Sequence, residues 1–184
     1  MKSSKIIAGV DEVGRGSLIG SVFSAAVIFN NESLFSELKD SKKISEKTRI
    51  KLANKIIKQS LCVSIGVATK DEIDSINIHN ATLLSMKRAI SNLNIKPDSV
   101  QIDGLYAPET EFHSECIVRG DSKIPQISAA SILAKVARDI EMNYLHDKFE
   151  MYNFKQNNGY GTRQHFNAIE CFGKTIHHRE SFIK

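Results

Sequence analysis

Apolar residues recur along this chain with two different periods, and the two periods separate predicted strands from predicted helices. Short apolar runs, rich in β-branched and aromatic residues and bordered mostly by Gly, Asp or Asn, predict strands. These runs cover residues 6–10, 21–29, 61–69, 98–104 and 115–121. The first two follow one another closely, so the chain is predicted to begin with a hairpin.

Longer segments carry an apolar residue every three or four positions and therefore predict helices. These segments cover residues 45–59, 80–93, 128–151 and 162–172, and Ser45 is a suitable N-cap for the first. Strands that first pair and then alternate with helices are typical of a mixed α/β sheet with helices packed on its faces.

Composition narrows the class of protein. A chain of 184 residues that is 41% hydrophobic fits one domain with a proper core. The formal net charge of +4 permits an anionic partner such as nucleic acid without requiring one. The three cysteines (Cys62, Cys116 and Cys171) are widely separated, which argues against a disulfide framework or a cysteine zinc site. The apolar run before Asp11 is too short for a signal peptide, and no stretch reaches the length of a membrane span, so we expect a cytoplasmic protein.

A glycine-rich loop, Gly14-Arg15-Gly16-Ser17-Leu18-Ile19-Gly20, follows the first predicted strand. Its glycine spacing resembles a loosened dinucleotide-binding fingerprint, which needs a helix to begin at the loop. Here a strand follows instead, so the loop is interpreted as a hairpin turn whose glycines allow positive φ angles. That interpretation accounts for the glycines but not for the neighbouring arginine and acids.

Three acidic residues follow apolar runs that should be buried. Asp11 and Glu12 end the first run and Asp103 ends the run VQID, so Asp11 and Asp103 are predicted to lie on adjacent strands. Neighbouring strand residues point to opposite faces, so Asp11 and Glu12 are expected to converge only if the strand ends or bulges between them. A fourth acid, Asp139, lies within the longest predicted helix, where its spacing favours an ion pair with Lys135.

Carboxylates that converge on one point raise one another's pKa values, and a positive charge among them makes the arrangement tolerable. Hard divalent cations such as Mg²⁺ prefer oxygen ligands and bind phosphate together with one or two carboxylates. Two such ions can activate water and stabilise the leaving oxygen in phosphodiester hydrolysis. A metal site would therefore let acids and phosphate occupy the same place.

Six segments occur in the order found in bacterial ribonuclease HII, and nearly the whole chain resembles that family. The segments are GVDEVGRG, DSKKIS, NATLLSMKRA, QIDG, GDSKIPQISAASILAKVARDIEM and NGYGT followed by a histidine. The resemblance implies an α/β fold, a ribonuclease H-like mixed β-sheet flanked by helices, in one catalytic domain spanning residues 1–184. Within it, residues from about 152 to 184 are expected to form a small C-terminal helical extension.

The resemblance also implies an activity, namely the Mg²⁺- or Mn²⁺-dependent hydrolysis of RNA in RNA–DNA hybrids and at single ribonucleotides embedded in duplex DNA. It implies two metal ions and products with 3′-hydroxyl and 5′-phosphate ends. The metal-binding carboxylates that it implies are Asp11, Glu12, Asp103 and Asp139, which for Asp139 overrides the ion-pair interpretation.

The resemblance further implies three sets of substrate contacts. These are Gly14, Arg15 and Gly16 for the ribose 2′-hydroxyl, Ser41, Lys42 and Lys43 for phosphates, and Tyr160 for the deoxyribose that follows the ribonucleotide. Ser17 departs from the family pattern, which usually has proline there. Two alternatives stay open: a non-catalytic domain that binds RNA–DNA hybrids, and another nuclease of the same fold, such as a junction resolvase. A monomer without membrane association is expected.

Overall fold

A five-stranded mixed sheet forms the centre of the computed structural model, which describes residues 5–29, 38 and 45–183. The strands are β1 (Ile7–Val13), β2 (Val22–Phe29), β3 (Ser60–Ala68), β4 (Ser99–Asp103) and β5 (His113–Ile117). Their order in the sheet is β3-β2-β1-β4-β5. The neighbours β1/β2 and β2/β3 are antiparallel, whereas β1/β4 and β4/β5 are parallel. The predicted mixed sheet is confirmed.

Helices pack on both faces of this sheet. The helices that do so are α1 (Glu46–Gln59), α2 (Lys70–Ser91) and α3 (Pro125–Lys148). Two shorter helices follow α3, namely α4 (Phe154–Asn157) and α5 (Arg163–Phe172). The side chain of Ser45 caps α1, as predicted, and that of Thr162 caps α5. Pro125 lies in the first turn of α3. The N–H groups of a first turn have no acceptor within the helix, so the missing N–H of proline costs no hydrogen bond there. Among the described residues, no helix combines the length and the apolar character that crossing a membrane requires.

The helix α2 begins well before the helix predicted at 80–93. A reciprocal pair of hydrogen bonds begins it: Glu72 N–H donates to Thr69 Oγ1 at 3.3 Å, and Thr69 N–H donates to Glu72 Oε2 at 2.8 Å. Asn77, with φ at 67°, kinks the helix part of the way along. The polar residues before this kink conceal the helical period in the sequence.

Two apolar clusters enclose the sheet. One face packs against α1 and α3 through buried side chains such as Leu52 and Ile132. The other face packs against α2 through buried side chains such as Met86 and Ile90. The strands β1 and β2 are therefore covered on both sides, which explains why their sequences are nearly continuous apolar runs.

A close contact between β1 and α3 depends on a glycine. A Cβ atom on Gly9 would lie 2.3 Å from the carbonyl carbon of Gln126, so no other residue fits without a backbone shift. The first turns of α3 consequently lie against the strand that carries Asp11.

Residues that follow α3 fold back onto its C-terminal half. Tyr152 and Phe154 pack with Met142 of α3 and with Ile19 of the glycine-rich loop in one buried cluster. The helix predicted at 162–172 is observed as α5. The assignment of residues from about 152 onwards to an extension of a single domain stays a prediction.

Candidate active site

Asp11 and Asp103 lie side by side at the carboxyl ends of two parallel strands. The register pairs Val10 of β1 with Ile102 of β4, so the residues that follow them are neighbours. The prediction that Asp11 and Asp103 lie on adjacent strands is confirmed. Asp11 is buried, with 5% of its surface exposed.

The strand neither ends nor bulges between Asp11 and Glu12, so the condition set for their convergence is not met. β1 continues to Val13, and it pairs with β2 in regular register, Asp11 opposite Ala25 and Glu12 opposite Ser24. The continuous ladder with β2 keeps the strand extended through both acids. The two side chains therefore leave opposite faces of the sheet.

The charges of the carboxylates nevertheless act on one another. The pairing of β1 with β4 ends at Val10 and Ile102, just before Asp11 and Asp103. Burial raises the pKa of the Asp11 carboxyl well above its usual range, and the charges of Glu12 and Asp103 raise it further. Hydrogen bonds from the Ser131 side chain and from Glu12 N–H, the latter at 2.7 Å, oppose part of this shift.

Glu12 shows the same effect in a milder form. Burial is the main reason why its pKa is raised; the positive charge of Arg15 lowers it, and the charge of Asp103 raises it. Its Oε1 accepts a hydrogen bond from Arg15 Nη1 at 3.4 Å. Its Oε2 is buried and has no hydrogen-bond partner among the described residues.

The donor set fits a hard divalent cation. Within residues 5–29, 38 and 45–183, no three His, Cys, Asp or Glu side chains come together as a ready-made metal cage. However, Asp11, Glu12 and Asp103 are oxygen donors that repel one another, and Glu12 Oε2 is a buried acceptor without a donor. A bound cation would relieve both the repulsion and the unpaired oxygen, and Mg²⁺ and Mn²⁺ favour such ligands.

A further carboxylate, Asp121, directly follows Gly120, a residue that is hydrogen-bonded to Asp103, and the sequence analysis did not single it out. It follows β5 in a short 3₁₀ turn, Gly120–Ser122, and is 8% exposed. The Gly120 N–H donates to Asp103 Oδ1 at 2.6 Å, which ties the turn to the end of β4. The available signal was a third apolar run that ends in an acid, CIVRGD, at the next strand of the sheet.

Asp139 occupies a different environment in α3. It pairs with Lys135 one turn earlier, as its spacing predicts, and accepts a hydrogen bond from Arg49 Nη1 at 2.8 Å. It lies eight positions beyond Ser131, which is about 12 Å along the helix axis. Its membership of the metal-binding set stays a prediction.

The glycine-rich segment and Ser21 together connect two antiparallel strands, as predicted, and no helix begins there; this connection, Gly14–Ser21, is called the glycine loop from here on. Arg15 and Gly16 are exposed at its tip. The Tyr160 side chain, 44% exposed, lies against Gly16, where an added Cβ atom would be 3.5 Å from the ring carbon Cε1. The structure thus brings Tyr160 to the loop that carries the GRG motif.

The structure shows the surroundings of Ser17 but does not describe the predicted phosphate-binding residues. Ser17 is fully buried, and its hydroxyl accepts a hydrogen bond from Arg138 Nη2 at 2.7 Å, a contact that proline could not make. Ser41, Lys42 and Lys43 lie outside the described residues, so their predicted phosphate contacts stay predictions.

Comparison with known proteins gives the family. The sequence model described as Ribonuclease HII matches residues 8–184. A Ribonuclease HII from Alteromonas mediterranea is 50% identical over 97% of this chain and 94% of its own length. A Ribonuclease HII from Blochmanniella floridana is also 50% identical, over 98% of this chain and 91% of its own length.

A solved structure agrees on the fold. The crystal structure of ribonuclease H2 from Pyrococcus horikoshii OT3 superposes with a TM-score of 0.82 at 24% identity, covering 96% of this chain and 93% of its own. At that identity the likeness concerns the fold, and the family rests on the sequence matches. This chain accordingly belongs to the ribonuclease HII family and is a metal-dependent endoribonuclease.

Proposed function

We propose that this chain hydrolyses the RNA strand of RNA–DNA hybrids and nicks duplex DNA at single embedded ribonucleotides. One observation carries the proposal: the glycine loop continues directly from the strand that holds Asp11 and Glu12. A loop tip with exposed backbone is suited to reading a ribose 2′-hydroxyl, which distinguishes RNA from DNA. The loop that selects the nucleotide and the carboxylates of Asp11 and Glu12 that serve cleavage then lie on one continuous segment.

The metal ligands that we propose are Asp11, Glu12 and Asp103, together with Asp121 in the fourth position. The resemblance assigns that position to Asp139, but Asp121 is the carboxylate whose turn is bonded to Asp103. Bound Mg²⁺ or Mn²⁺, as one ion or as a pair, would lower the pKa of a water and neutralise charge on the phosphate. The water oxygen would bond to phosphorus as the P–O3′ bond breaks, and O3′ would take up a proton, which leaves a 3′-hydroxyl and a 5′-phosphate.

The remaining roles concern binding. Gly14, Arg15 and Gly16 would contact the 2′-hydroxyl, and Tyr160 would pack on the sugar of the next deoxynucleotide. Gly16 and the Tyr160 ring are adjacent, which supports a role in which they contact two successive sugars of the substrate. Lys42 and Lys43 would bind phosphates of the substrate without distinguishing its base sequence.

A nicking assay tests the proposal. The substrate is duplex DNA with one ribonucleotide and a label on each strand, incubated with Mg²⁺, with Mn²⁺ or with EDTA. We expect metal-dependent cleavage at the ribonucleotide and none in the matched all-DNA duplex. Binding without cleavage under every metal condition would favour the hybrid-binding alternative. Equal cutting of an all-DNA four-way junction would favour a resolvase.

A further inference from the structure

One buried arginine from near the end of the sequence binds the glycine loop. Arg179 has no exposed surface. Its guanidinium donates to four carbonyl oxygens of the loop: Gly14 at 2.7 Å, Arg15 at 2.9 Å, Gly20 at 2.9 Å and Ser21 at 3.1 Å. A single planar group therefore holds both ends of the loop.

Backbone hydrogen bonds place Arg179 against the loop. Leu18 O accepts from Arg179 N–H at 2.8 Å, and Gly20 N–H donates to His177 O at 2.9 Å. On the other side of the loop, Leu18 N–H donates to Gly159 O at 2.8 Å. The loop thus lies between the segment that carries Gly159 and the segment that carries His177 and Arg179. The Arg179 side chain packs against the loop carbonyls.

The chemistry of this position favours arginine over lysine. A guanidinium presents five N–H donors in a rigid plane, whereas an ammonium is a compact charge that cannot reach both ends of the loop at once. Burial, and then the positive charge of Arg138, lowers the pKa of Arg179 to about 9, so the side chain stays charged at neutral pH. The charge of Glu141 opposes part of this shift.

The bound carbonyl groups determine where the neighbouring N–H groups point. In a trans peptide the C=O and the following N–H point in opposite directions. Because Arg179 binds the carbonyls of Gly14 and Arg15, the N–H groups of Arg15 and Gly16 point away from it. Gly14 is buried, whereas Arg15 and Gly16 are exposed. Neither of those two N–H groups has a hydrogen-bond partner within the described part of the chain.

We propose that Arg179 is a positioning residue for ribose recognition: by binding the Gly14 and Arg15 carbonyls, it presents the N–H groups of Arg15 and Gly16 to the 2′-hydroxyl of the substrate. The inference rests on the proposed role of the loop and adds the residue that aims it. Arg179 itself touches no substrate.

The test measures ribose discrimination rather than activity alone. Fluorescence anisotropy in EDTA gives the affinity for a duplex with one ribonucleotide and for the same duplex made wholly of DNA. Loss of one or two aimed hydrogen bonds should reduce the ratio of these affinities by about 10- to 100-fold in Arg179→Lys and Arg179→Ala. kcat/KM for nicking should fall by a similar factor, and added guanidinium ion should restore part of the ratio in Arg179→Ala.

Arg88→Lys is the matched control. Arg88 also donates to a backbone carbonyl, that of Val67 at 2.7 Å, and it pairs with Glu72, away from the loop. We expect this variant to lose some stability and to keep the wild-type affinity ratio. An Arg179→Lys variant that folds and keeps the wild-type ratio would overturn the inference.

Two further outcomes separate the inference from the function on which it rests. If the wild-type protein shows no preference for the ribonucleotide, the proposed role of the loop fails and the inference fails with it. If neither Arg179 variant folds, NMR of the wild-type protein decides. The Arg15 and Gly16 amide signals should shift on adding the ribonucleotide duplex and stay in place with the all-DNA duplex. Equal shifts with both duplexes would contradict the inference.

Discussion

The ring of Tyr160 lies in van der Waals reach of Gly16, at 3.5 Å from the position that a Cβ atom would take. The backbone of Tyr160 also forms an isolated β-bridge with Ser17, the residue after Gly16. The two residues are far apart in sequence, yet they are in contact. Arg15, the residue before Gly16, donates a hydrogen bond to Glu12 Oε1 at 3.4 Å. A substrate that contacts the loop tip would therefore meet the Tyr160 ring at the same time.

Replacing Tyr160 with alanine should impair cleavage at an RNA–DNA junction more than cleavage of a uniform hybrid. In the proposed role the ring packs on the sugar after the ribonucleotide, and losing such a contact would cost about 1–3 kcal/mol, or roughly 5- to 150-fold in kcat/KM. Steady-state kinetics on both substrates measures the difference. Tyr144→Ala, which removes an exposed tyrosine of α3, is the control and should change neither rate. Equal losses on both substrates would remove the junction-sensing role.

Replacing Gly16 with alanine and replacing Gly14 with alanine should have different effects on the free energy of unfolding. Gly16 has no positive φ and an added methyl meets only ordinary contacts, so Gly16→Ala should change stability by less than about 0.5 kcal/mol. Gly14 has φ 94° and a Cβ there would lie 3.2 Å from Arg138 Nε, so Gly14→Ala should lose about 1–2 kcal/mol. Urea unfolding measures both values.

The activity of the same two variants completes this prediction. Gly16→Ala places a methyl group on the exposed loop tip, so nicking at an embedded ribonucleotide should fall at least about tenfold although the protein stays folded. Full activity of a folded Gly16→Ala variant would show that the substrate does not approach the backbone at this residue.

Asp11→Asn should stabilise the metal-free protein and abolish its activity. The pKa of Asp11 is raised in the folded state, so at neutral pH its charge destabilises the fold, and that penalty declines as the pH falls. Removing the charge should therefore gain at least about 1 kcal/mol in EDTA at pH 7. The exposed Asp71→Asn is the control and should leave stability and nicking unchanged. Retained metal-dependent nicking in Asp11→Asn would refute its role as a ligand.

Comparing Asp121→Asn with Asp139→Asn should identify the fourth carboxylate. We expect Asp121→Asn to lose nicking about 10³-fold, together with the thermal stabilisation that added Mn²⁺ gives the wild-type protein. Asp139→Asn should keep the stabilisation by Mn²⁺, because its carboxylate is bound to Lys135 and Arg49. The reverse pattern would assign the ligand to Asp139, as the resemblance implies.

A buried pair of histidines should make stability depend on pH. Thr175 N–H donates to His178 Nδ1 at 2.8 Å, so neutral His178 carries its proton on Nε2 and donates it to His165 Nε2 at 3.0 Å. His165 Nδ1–H then donates to Tyr160 O at 3.0 Å. Burial, and then the charge of His165, lowers the pKa of His178 to about 4, and burial lowers that of His165.

The sign of this dependence follows from the lowered pKa values. The unfolded chain takes up protons below about pH 6.5 and the folded chain does not, so stability should fall between about pH 6.5 and pH 4 by up to about 3 kcal/mol. Urea unfolding at pH 7.0 and 4.5 measures the change. His178→Gln should be less stable at pH 7.0 and should lose less stability on acidification. An identical loss in both proteins would show that the histidine pair is not responsible.

The sequence predicted the parts of the site that depend on local pattern. Two apolar runs that each end in an acid placed Asp11 beside Asp103, and a strand after the glycine loop excluded a dinucleotide site. The absence of a bulge at Glu12 could not be predicted, because the sequence does not show that the ladder between β1 and β2 continues through both acids. Asp121 was missed because an acid after an exposed strand such as β5, with its weak apolar pattern, resembles an ordinary turn.

The residues that hold the glycine loop could not be predicted in the same way. Arg179 and His178 lie in a short polar stretch without helical or strand period, and a buried arginine has no signature in its own neighbourhood. Its partners are backbone carbonyls, which every residue has, so no complementary charge in the sequence indicates the contact. Such contacts depend on the folded path of the chain.

The bond between Arg179 and Arg15 joins residues 164 positions apart. During synthesis on the ribosome, at about 5–20 residues per second, the strand that carries Asp11 is complete on the order of 10–30 s before Arg179 is added. In that interval the nascent chain contains Asp11, Glu12 and the glycine loop but not yet Arg179, which orients the loop. Selectivity for ribose would thus be acquired only after Arg179 has been added, and damage to the segment that carries Arg179 would remove this selectivity while the sheet stays intact.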